Sequence, residues 1–170
     1  MPGTQYCSSP AAGFIRSKLQ SNTISGAPAR EVPDLPEAAR EALAGTAMLY
    51  REEGFEPPWI GYLVIVEGAC VGTCAFKCAP RDGRVELAYF TFPGYEGRGL
   101  ATRMCSELVA LARTADPAIV ITAQTLPERN SSTRVLEKAG FRWDSELDHP
   151  EDGRIWEWRL DPVADSEPDR

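Results

Sequence analysis

Hydrophobic residues recur at helical spacing in three parts of the chain. Apolar positions three or four residues apart predict helices over Glu37–Glu53, over the segment that follows Gly99, and over residues 131–139. Gly140, directly after the third pattern, is suited to a left-handed C-cap. Each predicted helix has one apolar face that must pack against another element.

Runs of β-branched and aromatic residues predict six strands between and after these helices. The short turns at Glu67-Gly68 and Asp82-Gly83 indicate that the first three strands form an antiparallel meander. The predicted strands cover residues 59–66, 69–78, 85–92, 118–125, 141–147 and 154–160.

The order of these elements is helix, three strands, helix, strand, helix and two strands, which predicts an α/β fold. The chain has 170 residues, the size of one domain. We therefore assign residues 1–170 to a single domain with its core at about 14–160. Residues 1–12 and 161–170 are expected to be flexible.

The composition, 43% hydrophobic and 25% charged, is typical of a soluble globular protein. No apolar run approaches the ~20 residues needed to span a bilayer. The N-terminus shows no basic stretch followed by an apolar stretch, so a signal peptide is not evident. We expect a cytoplasmic protein without a membrane partner.

The balance of charge bears on the choice of partner. The chain carries 18 basic and 25 acidic side chains, a formal net charge of −7. Nucleic acid is bound by clustered Lys and Arg, so this balance disfavours nucleic-acid partners and favours cationic ones such as amines. We expect the chain to act as a monomer or a homodimer.

The five cysteines are an odd number in a chain without export features, so disulfides are not expected. Cys70, Cys74 and Cys78 recur every four residues in a β-rich stretch. This spacing predicts buried thiols on one face of a strand. A metal site is not expected, because the single histidine, His149, is distant and paired ligands on short loops are lacking.

A glycine-rich turn joins the third strand to the second helix. Gly97 and Gly99 allow positive φ and leave the backbone accessible, while the first N–H groups of the helix lack internal acceptors. With the helix dipole they form an anion site suited to a pyrophosphate, to which Arg98 adds a mobile charge. The alternative is a tight strand-to-helix connection without a ligand.

The segment Pro93-Gly94-Tyr95-Glu96-Gly97-Arg98-Gly99-Leu100-Ala101-Thr102 resembles the coenzyme A pyrophosphate loop of the GNAT superfamily, Gln/Arg-x-x-Gly-x-Gly/Ala. Residues 125–141 are similar to a segment of its ribosomal-protein N-acetyltransferase-like branch. The resemblance covers roughly residues 59–160. It implies a GNAT-type fold: a mixed, mostly antiparallel twisted sheet of about six to seven strands, flanked by about four helices. It also implies acetyl transfer from acetyl-CoA directly to an amine.

The resemblance further implies a set of coenzyme A contacts. Glu96 departs from the pattern, and its carboxylate should point away from a pyrophosphate. Asn130 stands one residue after the family asparagine, so it is either a coenzyme A contact or the N-cap of the third helix. The implied contacts are Tyr89, Phe90, Thr91, Phe92, Gly97, Arg98, Gly99, Leu100, Ala101, Thr102, Asn130 and Ser132.

Glu86 is the candidate general base. A lone carboxylate in an apolar strand is costly unless it is paired or hydrated, and the resemblance places an acidic residue here that contacts the amine. The alternative is a salt-bridged or edge-exposed Glu86. Leu136 occupies the position of the tyrosine that many relatives use as general acid. Ser132 is the implied substitute, unless it only satisfies the helix N-terminus, and Tyr89 is a further candidate.

These observations favour an acyl-CoA-dependent N-acetyltransferase acting on a small amine, an aminoglycoside-like compound or a protein N-terminus. One alternative is a domain of the same fold that senses acyl-CoA without turnover, and another is a structural scaffold with an empty glycine turn. Four tryptophans either line the acceptor cleft or belong to the core. They are Trp59, Trp143, Trp156 and Trp158.

Overall fold

The computed structural model describes residues 17–23, 25–28, 32 and 34–162. The expected flexibility of residues 1–12 and of the tail beyond residue 162 lies outside these ranges. The elements of the described chain are β1 (Ser17–Ser21), α1 (Glu37–Glu53), β2 (Gly61–Val66), β3 (Ala69–Phe76), β4 (Arg84–Thr91), α2 (Leu100–Ala115), β5 (Val120–Thr125), α3 (Ser131–Lys138), β6 (Arg142–His149) and β7 (Gly153–Leu160).

All seven strands form one sheet in the order β1-β2-β3-β4-β5-β7-β6. The predicted meander of β2, β3 and β4 is confirmed. Each of its turns has two residues at positive φ, such as Asp82 at 50° and Gly83 at 70°, as tight hairpins require. Strands β4 and β5 are parallel, because α2 lies between them in the chain, and every other pair is antiparallel.

The strand count agrees with the fold predicted from the family resemblance, while the described residues hold three helices and not about four. Strand β1 was not predicted from the hydrophobic pattern. Its sequence, SKLQS, has one large apolar residue, Leu19, and therefore no alternation to detect. Pairing with β2 creates this strand, with Leu19 opposite Val64.

Helix α2 packs against β3, β4 and α3. Its buried stripe, Leu100, Met104, Leu108 and Ala112, follows the predicted helical spacing. Gly72 of β3 permits this close approach: an added Cβ would lie 2.6 Å from a main-chain oxygen of β4 and 3.2 Å from the Met104 side chain. The helix that follows the glycine turn is thereby fixed in position on the sheet.

Helix α1 covers the opposite face of the meander, where Ala39 packs with Leu63, Cys70 and Phe92. The prediction that the cysteines share one strand face is wrong. A bulge in β3 at residue 71 shifts the register, so Cys70 faces α1 while Cys74 joins the core beside α2. None of the three described helices could span a membrane.

Candidate active site

Strands β4 and β5 separate along part of their length. Their parallel pairing covers residues 84–86 of β4 and 120–122 of β5. Beyond it, β4 continues to Thr91 and β5 to Thr125, and no pairing joins the two strands in the described structure. The sheet therefore has an opening between the ends of these strands, which we call the cleft.

The backbone of β4 alternates between β3 and the cleft. The N–H of Lys77 donates to the carbonyl of Glu86 at 3.0 Å, and the N–H of Phe92 donates to that of Val71 at 2.9 Å. A strand residue directs its N–H and C=O to the same side, and the next residue directs them to the other. The residues whose N–H and C=O groups face the cleft are Leu87, Tyr89 and Thr91.

This alternation differs from the expected run of four consecutive backbone contacts. Phe90 and Phe92 direct their backbone groups to β3, and the Phe92 side chain is only 2% exposed in the core. Leu87 was missing from the expected contacts. The hydrogen-bonding register of β3 and β4 shows that the backbone of Leu87 faces the cleft. That register is known only once the two strands are paired.

A buried hydroxyl lies at the end of β4 beside the cleft. Thr91 Oγ1 is inaccessible to solvent and has no hydrogen-bond partner among the described residues. Such an unsatisfied group costs on the order of 1–3 kcal/mol. A polar ligand in the cleft would supply the missing partner, so this hydroxyl fits a ligand-binding wall.

The glycine turn lies between β4 and α2. Gly97 and Gly99 have φ of 74° and 73°, and an added Cβ at either would meet no atom of the described residues within 4 Å. Gly99 is the N-cap and offers no side-chain cap. In the described chain the N–H groups of Leu100, Ala101 and Thr102 have no acceptor. Such unpaired donors at a helix N-terminus, together with the helix dipole, are able to bind an anion.

The charged side chains of the turn fold back onto its beginning. Glu96 accepts a hydrogen bond from the N–H of Gly94 at 2.7 Å. Arg98 donates to the Gly94 carbonyl at 3.2 Å, and its guanidinium lies 5.4 Å from the centre of the Tyr95 ring. The Glu96 carboxylate is thus held by the start of the turn, away from the helix N–H groups that lack acceptors in the described chain.

The N-terminus of α3 is capped by its own residues. Asn130 accepts hydrogen bonds from the N–H groups of Ser132 and Thr133, at 2.9 and 3.1 Å, and Thr133 accepts one from the Asn130 N–H at 3.0 Å. Asn130 therefore has the N-cap role that was one of its two alternatives. The Ser132 hydroxyl has no partner within the described residues and does not cap the helix.

Tyr89 joins β4 to α3. Its phenol donates to the main-chain carbonyl of Ser132 at 3.3 Å. Burial raises the pKa of Tyr89, and the nearby Cys105 thiol adds to the shift, so the phenol stays protonated at neutral pH. Leu136 is buried in the core, 1% exposed. The hydroxyls of Tyr89 and Ser132 are thus the candidate proton donors.

Glu86 lies at the apex of the cleft, on the face opposite α2 and α3. Its side chain is 22% exposed, and its Oε1 lies 2.5 Å from Nζ of Lys77. The same ammonium donates to Oε1 of Gln124 on β5 at 3.4 Å. Glu86 is therefore salt-bridged in this structure, which was one of the alternatives to a free general base. Lys77 and Gln124, which sequence reasoning missed, complete a polar group across three strands.

A second carboxylate, also missed, lies on the same face. Glu157 of β7 is opposite Gln124 in the ladder, and the carboxyl of Asp144, which stands at a bulge in β6, lies near it. Burial raises the pKa of Glu157; Arg84 opposes the shift, while Asp144 and Glu86 add to it. The position of Glu157 between Trp156 and Trp158 was the sequence signal that could have identified it.

The tryptophans belong to the other side of the sheet or to the core. Trp59 is 9% exposed and packs edge-on against Phe76. A cavity of about 470 Å³ lies beside α3, on the face opposite Glu86. Its lining includes Trp143, Trp156, Trp158, Arg129 and Glu137. The tryptophans therefore do not border the face that carries Glu86.

Two buried thiols, Cys74 and Cys105, are unsuited to nucleophilic attack. Burial raises the pKa of Cys74 and raises that of Cys105 to about 12, so both remain thiols at neutral pH. Among the described side chains, no group of three or more His, Cys, Asp and Glu is arranged to hold a metal ion. The polar groups around the cleft are thus carboxylates, an ammonium, an amide and hydroxyls.

A family model described as "Acetyltransferase (GNAT) domain" matches residues 16–142, about three quarters of the chain. None of the curated proteins compared with the chain matches it. The match includes β4, the glycine turn and α3, which carry most of the residues described above.

Solved acetyltransferase structures share the fold. A ribosomal-protein-S5-alanine acetyltransferase from Vibrio fischeri has a TM-score of 0.61 at 18% identity, over 80% of each chain. RimL, a ribosomal L7/L12 alpha-N-protein acetyltransferase in complex with coenzyme A, scores 0.60 at 14% identity, over 76% of this chain and 74% of RimL. These structures confirm the predicted fold class.

The aminoglycoside acetyltransferase AAC(6')-Ib in complex with coenzyme A has a TM-score of 0.52 at 22% identity. The alignment covers 60% of this chain and 65% of that one, so the chain spans just under two thirds of that enzyme. At these identities the likeness is one of fold, and both ribosomal-protein and small-molecule acetyltransferases share it.

Proposed function

The chain belongs to the GNAT acetyltransferase family, and from its cleft we infer that it transfers an acetyl group from acetyl-coenzyme A to a primary amine. The observation that carries this proposal is the cleft itself, where backbone groups of β4 are unpaired within the described structure and the glycine turn lies beyond the end of that strand. The pantetheine arm of coenzyme A contains amides, which can pair with a strand edge, and its pyrophosphate suits the turn.

The proposed donor contacts follow from the free groups. The N–H groups of Leu100, Ala101 and Thr102 hold the pyrophosphate, because they are uncovered and unpaired in the described structure. Thr91 Oγ1 gains its missing partner from the pantetheine arm. Arg98, now folded onto Gly94, can swing to the phosphates because it is exposed. Two of the fold neighbours are described as complexes with coenzyme A, which supports this donor.

In the proposed reaction the acceptor amine attacks the thioester directly. Glu86 takes a proton from the attacking amine, since it lies at the apex of the cleft between β4 and β5. A cleft-facing N–H of Leu87 or Tyr89 polarises the thioester carbonyl. The Ser132 hydroxyl, which is free of other bonds in the described chain, returns a proton to the coenzyme A thiolate, with the Tyr89 phenol as the alternative.

The acceptor is proposed to be a cationic primary amine. The face that bears Glu86 also carries Glu157, Asp144 and Gln124, which offer carboxylate and carbonyl oxygens to an ammonium group. A small polyamine-like molecule and a protein N-terminus both meet this requirement. The fold neighbours include an aminoglycoside acetyltransferase and ribosomal-protein acetyltransferases, so both classes of amine belong in a test.

The experiment that tests the proposal combines ligand-induced stabilisation with product analysis. Acetyl-CoA should raise the melting temperature, since a ligand at a hundredfold excess over Kd stabilises by about 2.7 kcal/mol. Incubation with aminoglycosides, polyamines and N-terminal peptides should then yield an acetylated product by mass spectrometry. Stabilisation without any product would favour the sensor alternative. No stabilisation at millimolar acetyl-CoA would contradict the proposal.

A further inference from the structure

Lys77 holds a primary amine at the apex of the cleft. Its Nζ lies 2.5 Å from Glu86 Oε1 and 3.4 Å from Gln124 Oε1, so from its position directly after β3 it contacts both strands that form the cleft. The position is fixed by the ladder, because the Lys77 N–H donates to the Glu86 carbonyl at 3.0 Å. Its side chain is 44% exposed and can be reached from solvent.

An amine at this place meets the requirements of an acceptor. It is beside the carboxylate that would take its proton, at the point where the pairing of β4 and β5 ends. We propose that Lys77 is a site of self-acetylation, modified in cis by acetyl-CoA bound in the cleft. This inference rests on the proposed function, since it requires the same donor and the same base.

The step balances as a simple acyl transfer. Glu86 accepts a proton from the Lys77 ammonium, and the neutral amine attacks the thioester carbonyl carbon. The C–N bond forms and the C–S bond breaks, and coenzyme A leaves as a thiolate that takes the second proton of the amine. The products are N-acetyl-lysine, free coenzyme A and one proton released through Glu86.

The modification changes the charge of the site. Acetylation removes the positive charge of Lys77, and Glu86 loses its ion-pair partner. The face that carries Glu86 and Glu157 then gains negative charge and attracts a cationic acceptor more strongly. Self-acetylation would therefore prepare the site for a second amine.

The chain offers an internal control, because it contains three lysines, Lys18, Lys77 and Lys138. Lys138 is exposed in the last turn of α3. Its acetylation rate reports the uncatalysed reaction of an exposed lysine with acetyl-CoA. Lys77→Arg keeps the positive charge beside Glu86 but cannot be acetylated in this way.

The test incubates the full chain with acetyl-CoA and follows each lysine by peptide mass spectrometry, while the melting temperature is measured in the same samples. We expect Lys77 to be acetylated roughly 10²-fold faster than Lys138, the lower end of the contribution of a positioned base. The rate should not change when the protein is diluted, and Glu86→Gln should reduce it to that of Lys138.

Three outcomes would overturn the inference. If acetyl-CoA stabilises the protein but Lys77 is modified no faster than Lys138, self-acetylation is contradicted. The proposed function is not affected by that result. A rate that Glu86→Gln does not change shows that the cleft plays no part. Absence of both stabilisation and modification shows that the proposed function has itself failed, and the inference with it.

Discussion

The phenol of Tyr89 donates a hydrogen bond to the main-chain carbonyl of Ser132 at 3.3 Å. Tyr89 is on the strand that borders the cleft, and Ser132 is in the first turn of α3. The bond therefore joins the two elements that would enclose a thioester. It also places the two candidate proton donors side by side, one committed to a carbonyl and the other free within the described structure.

Ser132→Ala should lower the turnover number by about 10²-fold, because it removes the hydroxyl proposed to protonate the thiolate. The melting temperature should change little, since Asn130 caps α3. Asn130→Ala is the reverse control: it should cost about 1 kcal/mol of stability and leave the affinity for acetyl-CoA unchanged. If Tyr89→Phe slows turnover more than Ser132→Ala does, the proton donor is Tyr89.

Gly99→Val should abolish binding of acetyl-CoA, because a branched side chain would cover the N–H groups of α2. Calorimetric titration gives the affinity. Valine at positive φ costs roughly 1–2 kcal/mol. The matched control is Gly153→Val, because Gly153 begins β7 at φ 71° and has equally open space around it in the described structure. Equal affinities in the two folded variants would place the phosphate site elsewhere.

Glu86→Gln should lower turnover by about 10²–10⁴-fold while the affinity for acetyl-CoA stays the same. The defect should shrink as the pH rises, since more of the acceptor amine is then already neutral. Glu53→Gln is the matched control. Glu53 is also ion-paired at 2.5 Å and only 29% exposed, but its partner is Arg81 and not Lys77. A variant equally slow at every pH would assign Glu86 a positioning role.

Glu157→Gln should stabilise the protein at neutral pH and not in acid. The pKa of Glu157 is raised on folding, chiefly by burial, so its favourable contribution is present below the unfolded pKa and lost as the pH rises through the folded value. The gain should stay below about 1 kcal/mol, because solvent screens the site. Thermal melts at both pH values measure it, and a similar gain from exposed Glu41→Gln would contradict this cause.

The helices, the hairpins and the glycine turn were predictable because each has a local signal. The helix over Glu37–Glu53 was predicted with the bounds that the structure shows. The positive φ of Gly97 and Gly99 follows from two glycines placed directly before a helix. Asn130 was left open between two roles, since a cap is recognised by the hydrogen bonds it makes.

The neighbours of Glu86 could not be predicted, because they depend on strand register. The turn at Asp82-Gly83 pairs Arg81 with Arg84, and continuing that ladder would place Lys77 opposite Ala88. In the structure the register shifts by two residues between Arg81 and Lys77. As a result, Lys77 lies opposite Glu86. The bulge at residue 71 had the same effect on Cys70: a local irregularity decides which side chains meet.

The opening between β4 and β5 divides the hydrogen bonds of the sheet into two ladders. Strands β1 to β4 form one and β5 to β7 the other, joined by the pairing of residues 84–86 with 120–122. Units with so short a seam can open separately. Bound acetyl-CoA would connect the two ladders. Amide hydrogen exchange at Leu87, Tyr89 and Thr91 would then slow, and the two ladders would unfold as one cooperative unit.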